Sequence, residues 1–181
     1  MIILVGPSAS GKTEIVKYLI KYFSYTKFVT TTTRNIRVNE INGVDYNFIS
    51  TAEFLDKIKN NEFIEFVNYN NNYYGTEKRN INDSTCLIIE PSGLKAFKQL
   101  NNPTIISFYL ETKKEIRKQR MIERKDKIED INIRLNNDDS IFQKEKISQY
   151  IDFYIDSNYE SIKDLAIKID KLYKEKLSKI N

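Results

Sequence analysis

The segment from Gly6 to Thr13 carries residue types that can hold phosphate groups. It matches the pattern G-x-x-x-x-G-K-[ST], between an apolar run and an amphipathic stretch. The glycines let the backbone curl so that N–H groups point at phosphate oxygens, and a following helix adds positive potential at its N-terminus. We predict that Lys12 reaches the β- and γ-phosphates of a nucleotide and that the Thr13 hydroxyl is a Mg²⁺ ligand. The predicted nucleotide-binding residues are Gly6, Pro7, Ser8, Ala9, Ser10, Gly11, Lys12 and Thr13.

The composition excludes several other kinds of chemistry. The chain has no histidine and a single cysteine, Cys86. Ser-His-Asp catalysis, His-ligated zinc and an internal disulfide are therefore excluded. Lysine, arginine, carboxylate and hydroxyl groups remain, and they suit phosphoryl transfer, which depends on positioning and charge neutralisation. The single cysteine fits a reducing compartment, and no apolar run approaches the ~20 residues of a membrane span, so we expect a cytoplasmic protein without a membrane partner.

The apolar periodicity predicts strands that alternate with helices, as in a parallel sheet with right-handed crossovers. Residues 34–84 break this alternation and predict an inserted mixed lobe. A turn is predicted at Asn70-Asn71-Asn72. The predicted strands cover residues 1–6, 28–33, 62–69, 86–89, 105–110 and 153–156. The predicted helices cover about 11–22, a stretch beginning at Ser50 with a capping box, 94–100, 113–124, a polar stretch and helix up to about 150, and 161–177.

Four stretches after the phosphate-binding segment resemble guanylate kinases in residue content, order and approximate spacing. They are Thr30-Thr31-Thr32-Thr33-Arg34-Asn35-Ile36-Arg37-Val38-Asn39-Glu40, Gly43-Val44-Asp45-Tyr46-Asn47-Phe48, Asn61-Glu62-Phe63-Ile64-Glu65-Phe66 and Asn72-Tyr73-Tyr74-Gly75-Thr76. The resemblance implies an α/β three-layer P-loop fold with a parallel central sheet, an inserted mixed α/β GMP-binding lobe and a helical lid. We expect one domain over 1–181, with its core at 1–33 and 85–181, the lobe at about 34–84 and the lid at about 121–137.

The same resemblance implies a binding site for GMP. It assigns the phosphate to Arg34, Arg37, Tyr46 and Tyr74, and the guanine to Thr30, Glu65 and Thr76. Guanidinium forks suit a doubly charged phosphate. A carboxylate accepts from the adjacent N1–H and amine of guanine, whereas adenine has an acceptor at N1 and lacks that amine. We expect Thr76 to donate to guanine O6 and Thr30 to read the base edge.

The positions of the arginines also fit phosphoryl transfer. Only seven residues of the chain are arginines, and five of them fall where the family has phosphate-contacting arginines. These are Arg34, Arg37, Arg120, Arg124 and Arg134. Arg120 and Arg124 lie four residues apart, on one helix face. The resemblance implies that Arg120, Arg124 and Arg134 act as charge clamps on the phosphates, and with Lys12 and Arg34 they are the expected catalytic residues. The alternative is an exposed charged helix with Glu123 and Asp130 as partners.

The chain also departs from the family pattern. Where family members carry two aspartates before the position of Gly93, this chain has Ile88 and Glu90, and we place Glu90 among the substrate-binding residues. Arg124 is followed by Lys125 instead of glycine, and Asp156-Ser157-Asn158 stands where the family has Asn-Asp-Asp. A preference for dGMP, an altered nucleotide preference and reduced turnover therefore stay open.

The sequence thus predicts Mg²⁺-dependent transfer of the γ-phosphate of ATP to GMP or dGMP. Two alternatives stay open: a kinase for another phosphorylated acceptor, and a guanylate-kinase-like module that binds protein ligands with weak or no activity. The net charge of +4 fits a lysine-rich solvated surface, and no recognition motif indicates a nucleic-acid partner. We expect small-molecule substrates and a monomer or homodimer.

Overall fold

A parallel sheet lies at the centre of the computed structural model, which describes residues 1–37, 40–69, 71–79 and 81–180. Its strand order is β2-β7-β1-β8-β9, and every pair is parallel. The strands are β1 (Ile2–Val5), β2 (Thr26–Lys27), β7 (Thr85–Ile88), β8 (Ile106–Glu111) and β9 (Phe153–Asp156). The helices around it are α1 (Lys12–Phe23), α3 (Pro91–Gln99), α4 (Lys114–Glu123), α5 (Ile128–Ile141), α6 (Lys144–Ile147) and α7 (Ile162–Leu177), with a 3₁₀ turn at Ser148–Tyr150.

Both faces of this sheet are covered by helices. Along β1, Ile2 and Leu4 pack with residues of α1 and α7, whereas Ile3 and Val5 pack with residues of α3. This follows from the period of two in a strand, which sends successive side chains to opposite faces. All four side chains are completely buried. The result is the three-layer α/β arrangement with a parallel central sheet that the sequence predicts.

A second, mixed sheet has the order β4-β3-β6-β5. It consists of β3 (Thr31–Thr32), β4 (Asn47–Phe48), β5 (Phe63–Tyr69) and β6 (Asn72–Glu77), and α2 (Thr51–Lys59) accompanies it. The predicted capping box is present at the start of α2, where Ser50 and Glu53 cap each other's backbone N–H groups. Phe54 of α2 is completely buried and stacks on Phe63 of β5. The second sheet therefore has an apolar support of its own.

The predicted strand over residues 28–33 is wrong as a single element. Thr26–Lys27 pairs with β7 in the central sheet, whereas Thr31–Thr32 pairs with β4 and β6 in the second sheet. The β-branched run indicates extended chain but not its partner, and the chain passes here from one sheet to the other. Thr31–Thr32 thus pairs with lobe strands although we assigned it to the core. The residue limits of core, lobe and lid stay predictions.

Smaller differences concern ends of elements. The helix expected to reach about Tyr150 ends at Ile141, and α6 and the 3₁₀ turn follow it. Val38, Asn39 and Asn70, which belong to the predicted GMP-binding stretch and to the predicted turn, lie outside the described residues. Within the described ranges, no helix combines the length and the apolar composition that crossing a membrane requires.

A half-buried carboxylate, Asp152, connects three elements of the core. It accepts hydrogen bonds from Lys98 of α3, Lys176 of α7 and the Ser107 N–H of β8, the last at 2.8 Å. Burial of Asp152 opposes its ionisation, but the hydrogen bonds from Lys176, Lys98 and Ser107 outweigh this effect and lower its pKa to about 2. The ionised form is therefore the one that stabilises the fold.

We expect Asp152→Asn to lower the free energy of unfolding at pH 7 by about 1.5–3 kcal/mol, since hydrogen bonds to a charged group are lost. Because the folded pKa lies below the ordinary value of 3.8, this contribution is present above pH 3.8 and disappears as the pH falls towards 2. Urea denaturation at pH 7 and along an acid series measures both effects. Asp56→Asn, at an exposed position on α2, is the control and should change stability little. A constant difference across the acid series would contradict this account.

Candidate active site

The phosphate-binding segment forms the loop between β1 and α1. Three of its residues have positive φ: Gly6 (152°), Ala9 (59°) and Gly11 (99°). A side chain at Gly6 is also excluded by packing, because a Cβ there would lie 2.9 Å from the carbonyl oxygen of Leu110. The two glycines of the motif are therefore required by the backbone itself. The loop closes directly onto the N-terminus of α1, as the motif predicts.

Lys12 holds this loop together from inside. Its Nζ donates to the carbonyl oxygens of Gly6 (2.6 Å) and Pro7 (2.8 Å) and to Ser10 Oγ (3.2 Å). Burial lowers the pKa of Lys12 to about 8, although the nearby carboxylates of Asp138 and Glu90 favour its charged form. A desolvated ammonium group at the centre of the loop is well placed to attract phosphate oxygens.

Thr13 lies one residue further, on the first turn of α1. It lines a groove of about 440 Å³ together with residues 9–12 of the loop and with Arg120 and Arg124. Hydroxyl and phosphate oxygens with water are the ligands that Mg²⁺ prefers. Among the described residues, no group of three or more His, Cys, Asp or Glu side chains could hold a metal ion alone. The donor set therefore fits a Mg²⁺ ion that arrives with nucleotide phosphates.

One cavity of about 450 Å³ joins the phosphate loop to the residues expected to bind the acceptor nucleotide. The loop contributes Gly6, Ser8 and Lys12 to its lining. The predicted acceptor residues that line it are Thr30, Tyr46, Glu65, Tyr74, Thr76 and Glu90. Ile88, which stands at an aspartate position of the family pattern, lines the cavity as well. Residues from both sheets thus face a single space.

The carboxylate of Glu65 is fixed in the part of the cavity lining that the second sheet forms. Glu65 on β5 pairs with Thr76 on β6, and the Thr76 hydroxyl donates to Glu65 Oε1 at 2.5 Å. Burial raises the pKa of Glu65, the Thr76 hydrogen bond opposes this, and the charge of Glu90 adds to the rise. Thr76 is completely buried. The Thr76 hydroxyl, which we expected to donate to guanine O6, donates to Glu65 instead, so Thr76 orients this carboxylate.

Helix α3 approaches Glu65 closely because Gly93 has no side chain. A Cβ at Gly93 would lie 3.3 Å from Glu65 Cδ and 2.4 Å from Ile89 Cδ1. Glu90 is the N-cap residue of the same helix. This glycine therefore lets the second sheet pack against α3 at Glu65.

Arg34, Tyr46 and Tyr74 form one cluster. The Arg34 guanidinium lies 5.6 Å from the centre of the Tyr46 ring, and the Tyr46 and Tyr74 ring centres are 6.2 Å apart. Glu40 holds Arg34 through an ion pair of 2.8 Å and accepts the backbone N–H of Arg37, whose side chain is exposed. Three of the four predicted phosphate contacts thus lie together. We did not predict a role for Glu40. Its position six residues after Arg34 and three after Arg37 could have indicated that it pairs with them.

Arg120, Arg124 and Arg134 are held by backbone and acidic groups. Arg120 donates to the carbonyl oxygens of Ala9 (3.2 Å) and Ser157 (2.7 Å) and so contacts the phosphate loop directly. Arg124 and Arg134 both pair with Asp126. The partners of the arginines are therefore not Glu123 and Asp130, which the exposed-helix alternative proposed. Arg120 and Arg124 face the groove that also contains Thr13.

Two residues at the loop were missed by sequence reasoning. Asp138 on α5 accepts the backbone N–H of Ser8 at 2.9 Å and pairs with Arg117 on α4 at 2.7 Å. The usable signal was the spacing of Arg117, Arg120 and Arg124, which puts all three on one helix face. Nothing in the spacing of Asp138 indicates its contact with a loop 130 residues away.

Comparison with known proteins agrees with the resemblance found in the sequence. The family model described as guanylate kinase matches residues 1–172. The guanylate kinase of Helicobacter pylori strain 26695 is 33% identical over 191 aligned positions, which cover 100% of this chain and 91% of that protein. The guanylate kinase of Clostridium tetani is 35% identical over 130 positions, covering 68% of this chain and 62% of that protein.

Solved structures show a similar fold. A crystal structure of guanylate kinase from Anaplasma phagocytophilum has a TM-score of 0.70 at 23% identity and covers 97% of this chain and 84% of its own. A shikimate kinase from Acinetobacter baumannii has a TM-score of 0.53 at 15% identity, covering 96% and 92% respectively. At these identities the likeness supports the fold alone.

Proposed function

Because the chain belongs to the guanylate kinase family, we propose that it transfers the γ-phosphate of ATP to GMP or dGMP in the presence of Mg²⁺, giving ADP and the nucleoside diphosphate. The observation that carries the proposal is that one cavity is lined by both Lys12 and Glu65. Such a cavity can hold a donor phosphate and an acceptor purine side by side.

On the donor side, the backbone N–H groups of the loop and the ammonium of Lys12 bind the ATP phosphates. Lys12 lies within the loop, and on binding ATP it would exchange its hydrogen bonds to Gly6 and Pro7 for phosphate oxygens. The Thr13 hydroxyl would hold Mg²⁺, which supplies charge neutralisation at the β- and γ-phosphates when bound. Arg120, Arg124 and Arg134 act as charge clamps from the lid.

On the acceptor side, Glu65 accepts the N1–H and the amine of guanine, and Thr76 orients it. Arg34, Arg37, Tyr46 and Tyr74 hold the GMP phosphate. A phosphate oxygen of GMP attacks the γ-phosphorus, and the bond from that phosphorus to the β,γ-bridging oxygen breaks. The attacking oxygen is already anionic, so a strong general base is unnecessary. Exclusion of water from the cavity limits the competing hydrolysis of ATP.

A panel of monophosphates tests the proposal. We expect ADP formation from ATP to be fastest with GMP or dGMP and much slower with AMP or CMP, because only guanine offers two adjacent donors to Glu65. A coupled assay of ADP measures the rates, and a reaction without acceptor gives the background of ATP hydrolysis. Phosphorylation of AMP or CMP in preference to GMP would refute the assignment of the acceptor.

The remaining expectations about the setting of the reaction stay predictions. They are small-molecule substrates without a nucleic-acid or membrane partner, a cytoplasmic location, and a monomeric or homodimeric state. No contact in the described ranges favours the protein-binding module or another phosphorylated acceptor over the proposed reaction.

A further inference from the structure

A carboxylate of α5 is bound to the phosphate loop. Asp138 Oδ2 accepts the Ser8 backbone N–H at 2.9 Å, and Asp138 Oδ1 accepts the Ser8 hydroxyl at 3.2 Å. Arg117 of α4 donates to the same Oδ2 at 2.7 Å. Asp138 is 6% exposed and Arg117 is 5% exposed, so the two form a buried ion pair. Three segments that are distant in sequence therefore meet at one carboxylate.

The contacts of Asp138 restrict what it can do. Ser8 and Arg117 together use three of the about four lone-pair positions of the Asp138 carboxylate, which leaves little capacity for a metal ion. Its charge is balanced by Arg117, which allows an acidic group to remain beside a site for phosphates. Asp138 nevertheless lines the same cavity as Lys12. These facts favour a role in holding the loop over a role in the chemistry itself.

The position of Asp138 also links the loop to a lid arginine. Arg134 lies four residues earlier on α5, on the same side of the helix. Because Asp138 attaches α5 to Ser8, the distance between Arg134 and the phosphate loop is also fixed. Arg120, which donates to the carbonyl oxygen of Ala9, gives α4 a second attachment to the loop.

We propose that Asp138, neutralised by Arg117, is a positioning residue that fixes the phosphate loop at Ser8 and sets the place of α5, and hence of Arg134, relative to the donor phosphates. The proposal rests on the proposed function in that it takes ATP as the donor. It does not depend on the identity of the acceptor. Removing Asp138 should therefore affect ATP binding far more than GMP binding.

The test compares nucleotide affinities of four variants: Asp138→Ala, Arg117→Met, Arg117→Lys and the double variant Arg117→Met/Asp138→Asn. Titration calorimetry gives the Kd of a non-hydrolysable ATP analogue without acceptor, and separately the Kd of GMP. Steady-state kinetics give KM for each substrate and kcat. Asp130→Asn, at an exposed position near the start of α5, is the matched control. Thermal denaturation identifies variants that are not folded.

We expect Asp138→Ala to raise the Kd and KM of the ATP analogue and of ATP by about 10- to 100-fold, with the Kd of GMP changed less than about twofold. Arg117→Met leaves the carboxylate unbalanced beside the phosphates and should weaken ATP binding at least as much. The double variant removes both charges and should recover about tenfold of that loss. Arg117→Lys keeps the positive charge, so its Kd for the ATP analogue should lie between the values of wild type and Arg117→Met. This variant tests the ion pair even if Arg117→Met does not fold.

Three results would overturn the proposal: unchanged affinity for the ATP analogue in Asp138→Ala, equal losses for the analogue and for GMP in folded variants, or tighter binding of the analogue. Tighter binding would mean that the carboxylate competes with phosphate. Failure of the proposed function looks different. A wild-type protein that binds the ATP analogue but does not phosphorylate GMP would refute the acceptor, while the effect of Asp138 on the analogue could still be measured.

Discussion

Replacing Lys12 with methionine is expected to lower kcat by about 10²–10³-fold, the usual cost of removing one preorganised charge stabiliser. Methionine keeps most of the apolar stem but cannot donate a hydrogen bond. The variant therefore loses both the charge that meets the phosphates and the bonds to the carbonyl oxygens of Gly6 and Pro7. A coupled assay of ADP at saturating ATP and GMP measures the loss.

The control for this variant is Lys17→Met on the same helix. Lys17 is exposed and pairs with Glu14, so its removal should leave kcat within about twofold. The Kd of GMP should be nearly unchanged in Lys12→Met, because the residues proposed to bind GMP do not include Lys12. A folded Lys12→Met protein with nearly normal kcat would contradict the proposed mechanism. A Lys12→Met protein that loses turnover but still binds GMP is expected if the protein is an enzyme. A protein-binding module with no activity would have no turnover to lose.

Replacing Glu65 with glutamine is expected to raise the KM for GMP by about 100-fold, since hydrogen bonds to a charged acceptor are lost. The structure explains why the isosteric amide should fail. The Thr76 hydroxyl donates to Glu65 Oε1 and would hold the amide oxygen in the same place. The amide NH₂ would then face the N1–H and amine of guanine, so that donors meet donors. Initial rates at varied GMP and fixed ATP measure the effect.

Glu62→Gln is the matched control for this substitution. Glu62 directly precedes β5 and pairs with Lys57 outside the cavity, so it should change the KM for GMP little. The KM for ATP should stay close to the wild-type value in both variants. Discrimination between GMP and AMP should shrink only in the Glu65 variant. An unchanged KM for GMP in that variant would show that the base is read by another group.

The phosphate loop was predictable from sequence because its contacts are local. Gly6, Gly11 and Lys12 belong to one short segment, and their conformations follow from residue type and from the strand and helix beside them. Glu65 and Thr76 were predictable for a different reason. They lie in stretches that resemble the family, on strands whose pairing brings them opposite each other.

Contacts between distant segments could not be predicted in the same way. Asp138 reaches Ser8 only because α5 packs beside the loop, and Arg134 of α5 reaches Asp126 only because the chain turns between α4 and α5. The strand error at residues 28–33 has a related cause, because an extended segment does not encode which of two sheets it joins. The structure also shows that the isoleucine at position 88 leaves Glu90 and Asp138 as the carboxylates near Lys12.

The passage of the chain between its two sheets has a mechanical consequence. The chain leaves the central sheet after Lys27 and enters the second sheet at Thr31, and it returns between Glu77 and Thr85. These two crossings are not the only connection, because α3 also packs against β5 where Gly93 lies beside Glu65. Any rotation of the second sheet about its two crossings would therefore have to change the packing of Glu65 against α3. The carboxylate of Glu65 is thus fixed to the central part of the molecule as well as to its own sheet.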